Sequence, residues 1–285
     1  MFSGSKTIAI FSQKGGVGKS TTAVNLGAAL VTEGKRILVI DADPQGSATS
    51  MLGYRNGDDI SVSLSTLMER QVNGEYVNAE NAVLHNSEGI DLIPANIELS
   101  GMEMRLLSAM SREMVLRECL AEIKNRYDYI LIDCMPSLSM IPINALAAAD
   151  SVLIPVQPQY LSLRGMDQLL STVSKVRKQI NPDLTIEGIV LTLTDMRTNL
   201  ARQVKNTIHQ QYSEKIHIFE AEIPVAVRAA EASAAGRSIF AYDPDCKVAS
   251  AYKDLAKEVT DNGCRIKIRD AGERIRGTIY DTRGT

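Results

Sequence analysis

Residues 13–21 read QKGGVGKST, set between an apolar run at 6–12 (KTIAIFS) and a helical pattern that begins at Lys19. This order of strand, glycine loop and helix constrains the fold more than any other feature of the chain. It is the context a phosphate-binding loop requires. Glycines let backbone N–H groups curl around phosphate oxygens, and the helix N-terminus adds unpaired donors and a partial positive charge. Gly15, Gly16, Val17 and Gly18 supply the cradle. Lys19 reaches the β- and γ-phosphates, the Ser20 hydroxyl ligates Mg²⁺, and Thr21 bonds the α-phosphate. The ordinary pattern G-x-x-x-x-G-K-[ST] is not matched, because Gln13 stands where the first glycine belongs. A second lysine, Lys14, begins on the outer side of the loop. Phosphates held by a partner subunit are its natural target.

Further apolar runs lie at 36–41 (RILVID), 90–94 (IDLIP), 128–133 (DYILID), 151–156 (SVLIPV) and 186–193 (IEGIVLTL). They are β-branched and continuous rather than alternating, as in strands of a parallel sheet covered on both faces. A shorter strand is expected near 216–223. Helical spacing marks 19–33, 112–125, 163–179, 199–212 and 247–259. The alternation predicts an α/β fold: a doubly wound, mostly parallel sheet with helices on both faces, in a single domain over 1–260. Residues 53–89 read as a polar excursion with one or two helices. Residues 261–285 hold six Lys/Arg and four Asp/Glu and read as a weakly structured basic tail.

Two strands end in carboxylates. Asp41 and Asp43 close the second, and Asp133 closes the DYILID run. Ligands of open parallel sheets bind beyond such strand ends. Asp133 is placed to hold Mg²⁺ through water. Of Asp41 and Asp43, one supports Mg²⁺ and the loop while the other orients water; the alternative for Asp43-Pro44 is capping of a helix or a turn. Such a site works by positioning and charge stabilisation.

Composition narrows the function. The chain has 285 residues and a net charge of −3, so any DNA binding must come from a local patch or from several subunits together. Trp is absent and aromatics are 5%, which argues against stacking platforms for single strands. The four cysteines form no C-x-x-C pair and read as reduced thiols. No apolar stretch approaches the ~18 residues of a membrane span, and the start lacks a signal-peptide pattern. A cytoplasmic protein is expected.

KGGVGKST resembles the deviant Walker A motif of the ParA/MinD family of P-loop ATPases, and DADPQG at 41–46 resembles that family's second signature. CMPSL at 134–138 resembles its DCPPSL, with Met135 in place of the usual first proline. Stretches at 155–170, 188–200, 223–231 and 242–259 are similar to the short, Soj-type partition ATPases, so the resemblance runs from about 6 to 260. It implies ATP and Mg²⁺ as ligands, with Lys14 crossing an ATP-dependent homodimer interface. Asp43 positions the attacking water, and Asp41 lies in the outer sphere of Mg²⁺. Catalysis then falls to Lys14, Lys19 and Asp43, metal binding to Ser20, Asp41 and Asp133. Adenine is expected near Pro224, Val225 and 192–195.

The resemblance further implies non-specific binding of double-stranded DNA through Arg197 and Arg228, a ParB-like centromere-bound partner that stimulates hydrolysis, and nucleoid association of the ATP-bound form. A surface salt bridge or helix cap is the alternative for either arginine. Val225-Ala226 stands where the motif usually has Arg-Asn, and Glu220 and Glu222 lie nearby, so DNA binding weaker than typical is expected. Arg237, Lys247, Lys253 and the tail arginines are possible compensation. Self-repression through a helix-turn-helix domain is not expected, since none precedes residue 6. Other readings on the same core are an ATPase positioning a protein cargo and a MinD-like membrane ATPase, which needs an amphipathic helix that 264–280 resembles poorly. A metallocluster or biosynthetic enzyme is a further one, but the cysteines match no bridging-cluster pattern.

Overall fold

The computed structural model describes residues 4–55, 60–195 and 197–261. The expected tail beyond Asp261, with Cys264 and the stretch 264–280, lies outside the described residues. Among the described residues eight strands form: β1 (Lys6–Ile10), β2 (Ile37–Ala42), β3 (Leu84–His85), β4 (Ile90–Ile93), β5 (Tyr129–Cys134), β6 (Ser151–Val156), β7 (Thr185–Thr194) and β8 (Ile218–Pro224). They make one sheet in the order β3-β4-β2-β5-β1-β6-β7-β8. Every pairing is parallel except β3 against β4. The helices are α1 (Lys19–Thr32), α2 (Ser47–Met51), α3 (Leu64–Val72), α4 (Leu99–Ser108), α5 (Val115–Leu120), α6 (Met140–Ala148), α7 (Tyr160–Gln179), α8 (Asn199–Tyr212), α9 (Val227–Ala235), α10 (Ile239–Tyr242) and α11 (Lys247–Asp261).

The continuous apolar runs follow from this layering. Leu38, Ile40 and Ala42 of β2 enter a core with α3–α8, while Ile37 and Val39 enter the opposite core with α1, α2 and α9–α11. Successive side chains point to opposite faces, and both faces are dry. Each fully buried Leu or Ile contributes roughly 1.5–3 kcal/mol, offset by the entropy of ordering it.

Three differences from expectation have local causes. The periodic stretch 112–125 is not one helix. After α5 the bonds Ala121 N–H to Glu118, Ile123 N–H to Leu120 and Arg126 N–H to Ile123 span three residues, tightening the chain before it turns into β5. The excursion 53–89 contains α3, a 3₁₀ turn at Ala79–Ala82 and the edge strand β3, which at two residues leaves no apolar run to detect. The helices α2, α4, α6, α9 and α10 were not among those expected.

Gly188 sets the far edge of the sheet. At φ 156°, a Cβ there would lie 2.6 Å from the Phe219 ring and 2.9 Å from the His217 carbonyl oxygen. Only glycine lets β8 come this close to β7.

The topology collects the site. β5 lies between β2 and β1, with Asp41 and Ile10 both in register with Asp133. The loops after β1, β2 and β5 therefore leave the sheet side by side at its carboxyl end.

Candidate active site

The glycine loop enters α1 through Gly18 at φ 81°, after Gly16 at φ 72°. A Cβ on either would meet open space, so it is the left-handed backbone that requires glycine here. No side chain caps α1, which leaves its first N–H groups available to an anion. On the other side of the loop, Thr192 of β7 donates its hydroxyl to the Val17 carbonyl at 2.7 Å. This tie was not anticipated: Thr192 lies 175 residues away, and nothing local to either residue announces it.

The two lysines diverge. Lys19 is 7% exposed, and its Nζ lies 3.4 Å from the Lys14 carbonyl oxygen. Burial pulls its pKa below the usual lysine value, while Asp133 and Asp43 favour its charge. It leans toward β5. Lys14 leans the other way, past β6, where its Nζ donates to Gln159 Oε1 at 2.6 Å and Gln157 Oε1 at 3.4 Å. Gln157 and Gln159, which the sequence did not single out as partners of Lys14, hold its ammonium.

The carboxylates divide their work. Asp41 is fully buried and bonded to protein: Oδ2 accepts the Thr49 amide at 2.8 Å and its hydroxyl at 2.7 Å, and Oδ1 accepts the Asp43 amide at 3.2 Å. Burial pushes its carboxyl up to about 6, with the Thr49 and Asp43 bonds opposing. Asp41 thereby fixes the backbone of Asp43. The half-buried Asp43 carboxylate accepts the Gln45 amide at 3.0 Å, and a turn closes from Gly46 N–H to the Asp43 carbonyl at 2.9 Å.

Asp133 differs. It is fully buried, and neither of its oxygens has a hydrogen-bond partner. Burial and the neighbouring Asp41 raise its pKa well above the carboxylate range, while Ser20 and Lys19 act against that rise. A buried carboxylate without partners is costly unless a proton or a cation meets it. With the Ser20 hydroxyl beside it, the donor set is hard oxygen and fits Mg²⁺. Among the described residues no three or more His, Cys, Asp or Glu lie together as a metal group.

Where adenine was expected, Pro224 is half-buried and Val225 exposed, and Val225 N–H donates to the Thr194 carbonyl at 3.2 Å. Leu193 beside them holds φ 51° at a shift in the β7–β8 register, a backbone region uncommon for leucine. Arg197 and Arg228 are exposed and already ion-paired. Arg197 grips Asp195 with both Nε and Nη2 at 2.8 Å. Arg228 reaches Glu231 at 3.2 Å and Asp243 at 3.5 Å. Cys119 and Cys134 are buried free thiols and Cys246 is a half-buried one.

Setting a buried lysine between a backbone phosphate cradle and an unpartnered carboxylate is how P-loop nucleotide hydrolases hold a polyphosphate beside its metal, and this chain is one of that class. Residues 5–186 match a sequence family described as an AAA domain. The chain is 47% identical over 258 residues to the sporulation initiation inhibitor protein Soj of Bacillus subtilis, covering 90% of this chain and 99% of that protein. It is 41% identical over 256 residues to the chromosome partitioning protein ParA of Caulobacter vibrioides, covering 89% and 93%. The solved structure of cobyrinic acid a,c-diamide synthase from Mycobacterium smegmatis, with bound ATP analog and magnesium, matches with a TM-score of 0.79 at 34% identity, covering 93% of this chain and 99% of that one. The chain belongs to the ParA/Soj family of P-loop ATPases.

Proposed function

We propose that this ATPase is a nucleotide-gated partition switch. ATP and Mg²⁺ occupy the loop, with Lys19 on the phosphates and Ser20 and Asp133 on the metal. Asp41 holds the Asp43 turn, and Asp43 orients the attacking water. Two copies close on ATP, each Lys14 crossing to the partner's nucleotide. The closed dimer binds duplex DNA without sequence preference, in the cytoplasm at the nucleoid. A ParB-like partner stimulates hydrolysis and resets the cycle. DNA affinity is then set by nucleotide state, a population shift through differential affinity.

The observation that carries the reading is the divergence of the lysines. Lys19 is committed to its own loop, while Lys14 is held by Gln157 and Gln159 on the far side of β1. A loop cation directed out of its own site is suited to completing another. The surface ion pairs of Arg197 and Arg228 are of a kind worth little in water, so phosphate can displace their partners. Glu222, one of the nearby acids, is paired with Lys205, which blunts its repulsion of DNA.

The test is sedimentation and duplex-DNA binding with no nucleotide, ADP and ATP, using the native chain, Lys14→Ala, Asp43→Ala and Arg228→Glu. ATP is expected to dimerise the native chain and, more durably, Asp43→Ala, but not Lys14→Ala. Arg228→Glu is expected to dimerise without binding DNA. A dimer that binds no DNA at any salt would replace the nucleoid with a protein surface, and ATP-dependent sedimentation with liposomes would replace it with a membrane.

A further inference from the structure

We infer that Glu103, on α4 and outside every phosphate-loop motif, is a positioning residue for ATP hydrolysis: it pins the loop that leaves Asp133. The inference rests on the ATPase reading of the site. The Glu103 carboxylate accepts three hydrogen bonds, from the Ser139 hydroxyl at 2.6 Å, the Met140 amide at 2.9 Å and the Ile141 amide at 3.1 Å. The last two are the first N–H groups of α6. Ser139 occupies the cap position of that helix but does not cap it with its own side chain. An anion from another helix does so instead, aligned with the positive end of the α6 dipole.

The pinned segment is the strategic one. β5 stands between β1 and β2, so residues 134–139 emerge between the glycine loop and the Asp43 turn. One end of the segment is anchored by β5, whose Asp133 carries the unpartnered oxygens. Its other end is anchored by Glu103. Between the anchors its bonds are local: Ser137 N–H to the Met135 carbonyl at 2.9 Å, and the Ser137 and Ser139 hydroxyls 2.8 Å apart. Those bonds close the loop on itself, and the Met135 side chain packs on the core; the polar tie from the far end of the loop to another helix is the one made by Glu103. α4 is itself immobilised by Met102 and Leu106, which are 2% and 0% exposed. Glu103 thus ties the wall of the hydrolysis site to a helix that belongs to a different part of the chain. Sites need such support to hold reacting groups in place.

The experiment uses the full chain and the variants Glu103→Gln, Glu103→Ala, Ser139→Ala and Glu103→Ala/Ser139→Ala. It measures affinity for a fluorescent ATP analogue, kcat and KM for hydrolysis, melting temperature, and amide exchange at Met140 and Ile141. The native chain serves as control: if it neither binds nor hydrolyses ATP, the ATPase reading falls and takes the inference with it. With the native chain active, Glu103→Gln is expected to keep nucleotide affinity and KM within about twofold while kcat drops roughly three- to tenfold, as expected when support for reacting geometry is lost. Exchange at Met140 and Ile141 is expected to quicken. Ser139→Ala should lose less, since it removes one of the three bonds to Glu103, and the double variant should lose less than the product of the two single losses, since they share that bond. The inference is overturned if kcat is unchanged below the melting temperature of Glu103→Gln, leaving only a helix cap. It is also overturned if the losses multiply in the double variant. Should Glu103→Ala fail to fold, Glu103→Gln and Ser139→Ala decide the matter.

Discussion

Asp133 and Asp41 are both fully buried strand-end carboxylates, yet only Asp41 is satisfied by protein. Removing the Thr49 hydroxyl, which donates to Asp41 and accepts the Ala95 amide, should therefore cost stability. Thr49→Val is expected to lower unfolding free energy by about 1.5–3 kcal/mol, the range for hydrogen bonds to charged groups, in a urea titration. Asp133 should instead report through protons. Burial and Asp41 raise its pKa, so its neutral form is populated at a pH where an ordinary Asp is charged. Mg²⁺ requires the charged form. Metal–nucleotide binding should then release protons and weaken as pH falls through the raised value. Calorimetry in two buffers of different ionisation enthalpy reads this directly, and identical heats would contradict it. The Asp residues themselves were legible in the sequence, since each ends an apolar run. Which one is left without partners was not, because Thr49 reaches Asp41 only once α2 has folded back over the end of β2.

At the scale of elements, the strands were legible because burial on both faces writes a continuous apolar run, as in β2 and β6, whose residues are all buried. Helices lying between close neighbours were less so. α6 (MIPINALAA) is apolar almost all round, and its periodicity vanishes just where packing is tightest. Gly188 carries the element-scale prediction. Gly188→Ala puts a methyl against the Phe219 ring and a backbone carbonyl at a φ that alanine rarely adopts. A loss of about 2–4 kcal/mol is expected from overpacking plus backbone strain. Because α11 packs on β8 and Glu258 of α11 accepts the Glu220 and Ala221 amides, amide exchange should quicken along β8 first.

For the whole molecule, the exposed surface carries the test of the proposed use of the ATPase core. On the proposed partition reading, Val225-Ala226 in the place of the Arg-Asn of the resembling motif leaves the ATP-closed dimer two cations short. The slope of log affinity against log salt for duplex DNA should be shallower than that of a fully basic relative by about 1.8, at ~0.9 per phosphate contact. Equal slopes would mean that other exposed cations such as Arg237 and Lys247 have taken over. By itself the sequence determined the phosphate loop, the strand-end carboxylates, the layered α/β plan and the family resemblance, because each is written in contiguous residues under local backbone rules. Only the tertiary structure decided that Lys14 is held by Gln157 and Gln159, that Asp41 serves Thr49 and the Asp43 amide while Asp133 is left open, that Arg197 and Arg228 begin ion-paired, and that Glu103 holds the loop after Asp133. The contacts of Lys14 and of Glu103 join segments brought together by a sheet whose strand order departs from chain order, whereas those of Asp41, Arg197 and Arg228 are made within or just beyond a turn and depend on the side chain's direction there. Side-chain pairing across such distances is set by packing geometry, of which a linear pattern carries no record.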